Sequence, residues 1–208
     1  MKKFLIIISA VLSLALFTSG CRTPWLINNE QPGKTCVLLK KQLLIVKLKT
    51  YPAKYEKDFG EYFRLHMVKL LGKNQIVYSG DLLSMQDAFN KANGTSNADK
   101  FKVKTNEFVT LGQALGCSTV LCGVICVKER PELSVEVKLW WLDTSNGETL
   151  LTLRKNFDTT NRYERKDFSN YLKQSLTVIK NESQQRSVFI RYCAEKTADK
   201  FKTIAEFK

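Results

Sequence analysis

The side chains able to do chemistry in this chain of 208 residues are few: six cysteines, one histidine and 20 acidic residues. Setting aside the cysteine at position 21, Cys36, Cys117, Cys122, Cys126 and Cys193 are odd in number, so they cannot all pair with one another. Cys122 and Cys126 share an apolar run, where four residues of strand would separate them by roughly 13 Å, beyond the reach of a disulfide. No Cys-x-x-Cys pair occurs, and His66 alone cannot complete a usual zinc set. Most of these thiols therefore read as small buried hydrophobes. One bridge, for instance from Cys36 or Cys193 to a strand cysteine, stays open for an oxidising compartment. Glu129 and Glu132 can be written as a glycosidase dyad, but acids beside Pro131 in a polar turn read more simply as turn residues. The chain has no Gly-x-Ser-x-Gly elbow, phosphate-binding loop or His-Glu-x-x-His. The expectation is a non-enzyme with no catalytic residue, no cofactor and no metal ligands.

Cys21 is the exception. Lys2 and Lys3 open the chain, Phe4 to Phe17 is an unbroken run of apolar and small residues, and Thr18-Ser19-Gly20 leads into Cys21. The run has the length of a signal-peptide core and is short for a bilayer span. The whole resembles a bacterial lipoprotein signal, which implies cleavage before Cys21 and acylation of that cysteine (palmitate being the typical chain). An ordinary secretory leader is the competing reading, since Thr18 stands where the motif usually has Leu. Both export the chain. Arg22 occupies the place where an Asp would favour the inner membrane, so the expected location is the outer membrane, facing the periplasm. Two of the 33 basic residues and none of the 20 acidic ones fall in the leader, leaving +11 of the +13 on the remainder. Export removes nucleic acid as a partner for that charge, leaving lipopolysaccharide, lipid head groups or wall polymers, or simply a solvated surface.

The expected organisation is a leader over 1–20, a lipidated tether over 21–35 and one α/β domain over 36–208. Within the tether, Trp25, Leu26 and Ile27 are apolar, and packing back on the domain or resting at the membrane interface are both open to them. Val, Leu and Ile crowd Cys36–Leu48, a buried first strand. Tyr55, Phe59, Tyr62, Phe63, His66, Met67 and Leu70 recur at helical spacing, ending at Gly72. His66 sits beside that stripe and is read as a packing or boundary residue. A short strand over Asn74–Tyr78 follows, then a helix over Leu82–Ala92 behind Asp81, and a polar loop over 93–100 whose Asn93-Gly94-Thr95 is an accidental glycosylation match. Thr105 or Asn106 caps a third helix that stops at Gly116. Thr119–Val127 is uninterrupted apolar chain and predicts a central strand. Leu133–Asp143 alternates strictly, Asp143–Gly147 supplies a turn, and Thr149–Phe157 returns as its hairpin partner. Trp140 projects among polar residues and is either helix-covered or part of a contact patch. After a polar connection over 158–167, helices are expected over Phe168–Ile179 and Val188–Phe207. The sum is an α/β sandwich, a mixed sheet of about four to five strands with helices packed on it and a C-terminal helix.

The stretch Leu111-Gly112-Gln113-Ala114-Leu115-Gly116-Cys117-Ser118-Thr119, its continuation to Gly123, and Leu142-Asp143-Thr144-Ser145-Asn146-Gly147-Glu148-Thr149-Leu150 together resemble a recurrent pattern. It is similar to the periplasmic α/β domain shared by the TolB amino-terminal region, the curli-secretion lipoprotein CsgG and the penicillin-binding-protein activator lipoprotein LpoB. What the pattern carries is folding: Gly116 to end a helix, Gly123 for close packing, Gly147 for the hairpin turn. The links Val127 to Leu133 and Asp158 to Lys166 are too short and polar for the membrane hairpins of a curli channel. The resemblance implies an outer-membrane-anchored, non-catalytic lipoprotein that binds other envelope proteins or assembles with copies of itself. The alternatives are a basic lipoprotein docked on wall or lipopolysaccharide, or a subunit of a curli-type assembly.

Overall fold

Thr119–Lys128 is apolar on both sides, and a strand of that composition is stable only with packing on both faces. It is the centre of the computed structural model, which describes residues 24–29, 41–78, 105–129, 131–175 and 179–206. The expected leader over 1–20, Cys21, Cys36, the expected helix over Leu82–Ala92 and the expected loop over 93–100 lie outside the described residues.

The strands are β1 (Leu26–Asn29), β2 (Leu43–Ile45), β3 (Lys49–Tyr51), β4 (Ile76–Tyr78), β5 (Thr119–Lys128), β6 (Ser134–Asp143) and β7 (Thr149–Asp158). They form one mixed sheet in the order β1-β7-β6-β5-β2-β4, with β3 also paired to β5. β2 is parallel to both β4 and β5, whereas β5, β6, β7 and β1 are successively antiparallel. The helices are α1 (Tyr62–Leu71, entered through a wide π turn over Lys57–Glu61), α2 (Thr105–Ala114), α3 (Arg162–Gln174) and α4 (Glu182–Glu206).

Two layers of core follow from the period-two alternation of the strands. Val135, Val137, Leu139 and Trp141 of β6, with Leu121 and Ile125 of β5, face α1, α3 and α4. On the opposite face Leu44, Val46, Val120, Cys122 and Leu142 meet Phe108, Val109 and Leu111 of α2. α4 lies close on the sheet because its inward positions include the small residues Cys193, Ala194, Thr197 and Ala198, all fully buried. Phe201 can then pack edge-on to Trp141 at 5.2 Å.

The sheet is wider than the four to five strands expected, for two reasons. The first strand is broken: Ile45 pairs with Leu121 but Lys49 with Val124, so one extra residue is accommodated between β2 and β3. That irregularity sends Leu48 into the layer of Leu43 and Ile45, although simple alternation groups it with Leu44 and Val46. The second reason is β1. Trp25 packs edge-on to Phe157 at 5.6 Å and Leu26–Asn29 pair with β7, so this apolar part of the stretch read as a tether packs back on the domain. Helix starts also shift. α3 begins at Arg162 inside the polar connection, because Asn161 Oδ1 accepts from the backbone N–H of Tyr163 and Glu164. α4 begins at Glu182 rather than Val188, with Asn181 Oδ1 accepting from Gln184 N–H. Apolar periodicity marks where a helix is buried, and both first turns are polar, although Glu164 in that of α3 is itself buried.

Candidate functional site

The turn joining β5 to β6, the first turns of α4 and the exposed side of α3 enclose a groove of about 530 Å³. Its floor is Leu133, Phe168, Leu172 and Phe189, and its rim carries Glu129, Glu132, Arg165, Glu182 and Arg186. The floor is fixed from beneath. Phe168 meets Phe189 edge-on at 5.1 Å and Tyr192 at 5.4 Å, which ties α3 to α4.

One side of the rim is an ion-pair chain. Lys54 Nζ lies 2.5 Å from Glu129 Oε1, Arg186 Nη1 donates to Glu129 Oε2 at 3.1 Å, and Arg186 also pairs with Glu182 one helical turn away. The hydrogen bond from Lys54 holds the Glu129 carboxyl below its ordinary range, and the same contact raises the Lys54 ammonium. Glu129 is therefore a fixed anion with neighbours on both oxygens. A glycosidase acid needs the opposite, a carboxyl held protonated near neutrality. The structure thus places both sequence-noted acids, Glu129 and Glu132, on one rim without giving Glu129 the environment of a general acid.

Cys117, Cys122, Cys126 and Cys193 are buried, and Cys117, Cys122 and Cys193 are free thiols. Cys117 and Cys122 belong to the α2 layer and Cys193 to the α4 layer, so the sheet stands between them. Burial pushes Cys122 up to about 12 and raises Cys193 well above the ordinary thiol range. A reactive cysteine needs an accessible thiolate, and these environments oppose it. Trp140 is half-buried against the α2 layer, with Lys138 Nζ 4.7 Å from its ring.

His66 gains partners that no local spacing announces. On α1 it is held beside α4, where its Nε2 lies 2.8 Å from Asp199 Oδ1, and Glu195 is the next acid along the same face. The ligand atoms of His66, Glu195 and Asp199 all lie within 4.8 Å of one another, the one such cluster among the described residues able to hold a cation. The signal available in sequence was the i, i+4 spacing of Glu195 and Asp199 along the C-terminal helix.

Gly116, Gly147 and the turn acid Asp143 lie around the β6–β7 turn and the entry to β5, whereas Gly123 lies mid-strand in β5. Asp143 Oδ1 accepts from Ser145 N at 2.8 Å, and Thr144 Oγ1 lies 2.8 Å from the carbonyls of Cys117 and Ser118. Gly116 and Gly147 take positive φ of 68° and 75°, as the helix stop and hairpin turn require. Their role is folding. Among the described residues no helix is long and apolar enough to cross a membrane.

Neither a protein-family pattern nor a curated protein matches the chain in sequence. Among solved structures it is similar to the PelC dodecamer from Paraburkholderia phytofirmans, at 10% identity and a TM-score of 0.46, over 90% of this chain and 99% of that one. It is similar to lipoprotein GNA1162 from Neisseria meningitidis at 15% identity and a TM-score of 0.38, over 65% of this chain and 98% of that one. The LpoB C-terminal domain from Salmonella enterica is also similar, at 10% identity and a TM-score of 0.32, over 60% of this chain and 93% of that one. Likenesses this remote leave function to the residues themselves.

Proposed function

We propose that this chain is a lipoprotein of the bacterial outer membrane, anchored through Cys21 and facing the periplasm, that holds another envelope protein without catalysing a reaction. The observation that carries the binding role is the groove between α3, α4 and the β5–β6 turn. An apolar floor of Leu133, Phe168, Leu172 and Phe189 suits the apolar side chains of a partner segment. A rim bearing three acids and two arginines gives that segment charged positions to be read against, and such charges set specificity more than affinity. Anchoring is supported by the leader and by the residues around Cys21.

The anchor is tested by Cys21→Ser, which is expected to move the protein from the membrane pellet to the soluble periplasmic fraction. A variant that stays in the pellet after a high-salt wash sinks the lipid anchor, and one released only by salt points instead to docking on an anionic polymer. The groove is tested by a photo-crosslinker placed at Ser169 or Gln185 in living cells. The expected product is one envelope protein, identified by mass, whose yield falls several-fold when Leu172→Asp charges the floor. A product of twice the chain's own mass assigns the groove to a second copy and overturns a hetero-partner, as does a yield indifferent to Leu172→Asp.

A further inference from the structure

We infer that His66 of α1 and Glu195 and Asp199 of α4 form a binding site for a divalent transition-metal ion, zinc by preference, that clamps the two helices together. Two features carry it. The donor set is one imidazole nitrogen and two carboxylates, all within 4.8 Å of one another, and mixed nitrogen–oxygen sets favour zinc, manganese or cobalt over magnesium and calcium. The three donors stand on two packed, rigid helices. Phe63 and Met67 of α1 and Tyr192, Cys193, Ala194 and Ala198 of α4 are fully buried on the faces that fix the spacing.

The adjustment needed is small. His66 Nε2 and Asp199 Oδ1 are 2.8 Å apart, sharing a proton or held by one. A tetrahedral ion with bonds of about 2.0–2.1 Å separates its ligand atoms by about 3.3 Å, so the pair opens slightly, the proton leaves, and Glu195 closes in. Three protein ligands leave at least one coordination position for water. Lys196 and Lys200, one residue beyond Glu195 and Asp199, and Arg191, one turn before Glu195, are cations on the same helix that oppose binding, but Lys196 leans on the Tyr192 ring, 5.8 Å from its centroid, and Arg191 pairs with Asp58.

The test uses the full-length protein in detergent, without a histidine tag, titrated with zinc chloride by calorimetry. One equivalent is expected to bind, with affinity lowered roughly tenfold or more in each of His66→Gln, Glu195→Gln and Asp199→Asn. At a hundredfold excess over Kd, zinc is expected to raise the melting temperature by roughly 5–10 °C, and a chelator to reverse it. X-ray absorption at the zinc edge of the unmodified protein reads the ligands directly, whatever the variants do, and should show one imidazole with oxygens and no sulfur. Sulfur neighbours would assign the metal to the cysteines and overturn the site. So would no binding at millimolar zinc, or affinities unchanged across the three variants.

Discussion

Lys155→Met is expected to destabilise the domain by about 3–5 kcal/mol, because it leaves a carboxylate buried without its counter-ion. Lys155 occupies an inward position of β7, in line with Leu151, Leu153 and Phe157, and its Nζ lies 2.6 Å from Glu164 Oε1 of α3. The two side chains are 3% and 5% exposed, so water does not screen the loss. Trp25 and Phe157 close over the ammonium, with ring centroids 5.8 and 5.5 Å from it. In a domain of this size the cost corresponds to roughly 10 °C or more in melting temperature. The decisive comparison is the double replacement Lys155→Met with Glu164→Leu, which removes both charges and fills the space. Buried pairs replaced together by apolar residues of similar volume are often neutral or stabilising. Urea denaturation of the four members of the cycle should therefore give a large coupling between the two sites. A Lys155→Met protein as stable as the parent would show that Glu164 finds water or another partner, and would remove this pair from the account of how α3 docks.

Gly123→Ala is expected to cost about 3 kcal/mol, at the top of the range for overpacking. Gly123 lies mid-strand in β5 opposite Leu139, and a Cβ there would stand 2.4 Å from Leu139 Cδ2 and 2.6 Å from the Lys138 carbonyl oxygen. Leu139 can turn aside. The carbonyl belongs to the most extensively paired part of the sheet and cannot. Gly60→Ala is the control: its added methyl meets nothing within 4 Å, and alanine in a helical turn is favoured over glycine by up to about 1 kcal/mol. Denaturant midpoints should move in opposite directions for the two variants. Equal losses at both positions would mean that the contact with the Lys138 carbonyl does not set the cost at Gly123.

Most of the α/β sandwich was legible in the residues, because burial on one face imposes a period that is hard to counterfeit. Leu133, Val135, Val137, Leu139 and Trp141 announced β6 and its inward side, and all but the partly buried Leu133 are within 1% of complete burial. The spacing of Phe59, Phe63 and Met67 likewise announced the inward side of α1, and each of these three is fully buried. Polar first turns, such as Arg162–Asp167, carry no such period. Their start is marked only by an asparagine cap, which is a weaker signal in a chain rich in polar residues. Short edge strands such as β1 are set by their partner, since four residues have too little pattern of their own.

The candidate sites divide in the same way. By itself the sequence determined which side chains are available: one histidine, six cysteines, and acids around the β5–β6 turn. It also determined that the thiols in apolar runs would be buried, because an apolar strand has nowhere else to put them. Only the tertiary structure decided which polar residues meet. Glu129 is bound to Lys54 and Arg186, Lys155 to Glu164, and His66 to Asp199 across 133 positions of chain. The physical reason is that period and propensity act over a few residues, whereas an ion pair or a metal ligand set acts over a few ångströms. Which residues share those ångströms is settled by how α1, α3 and α4 pack on the sheet.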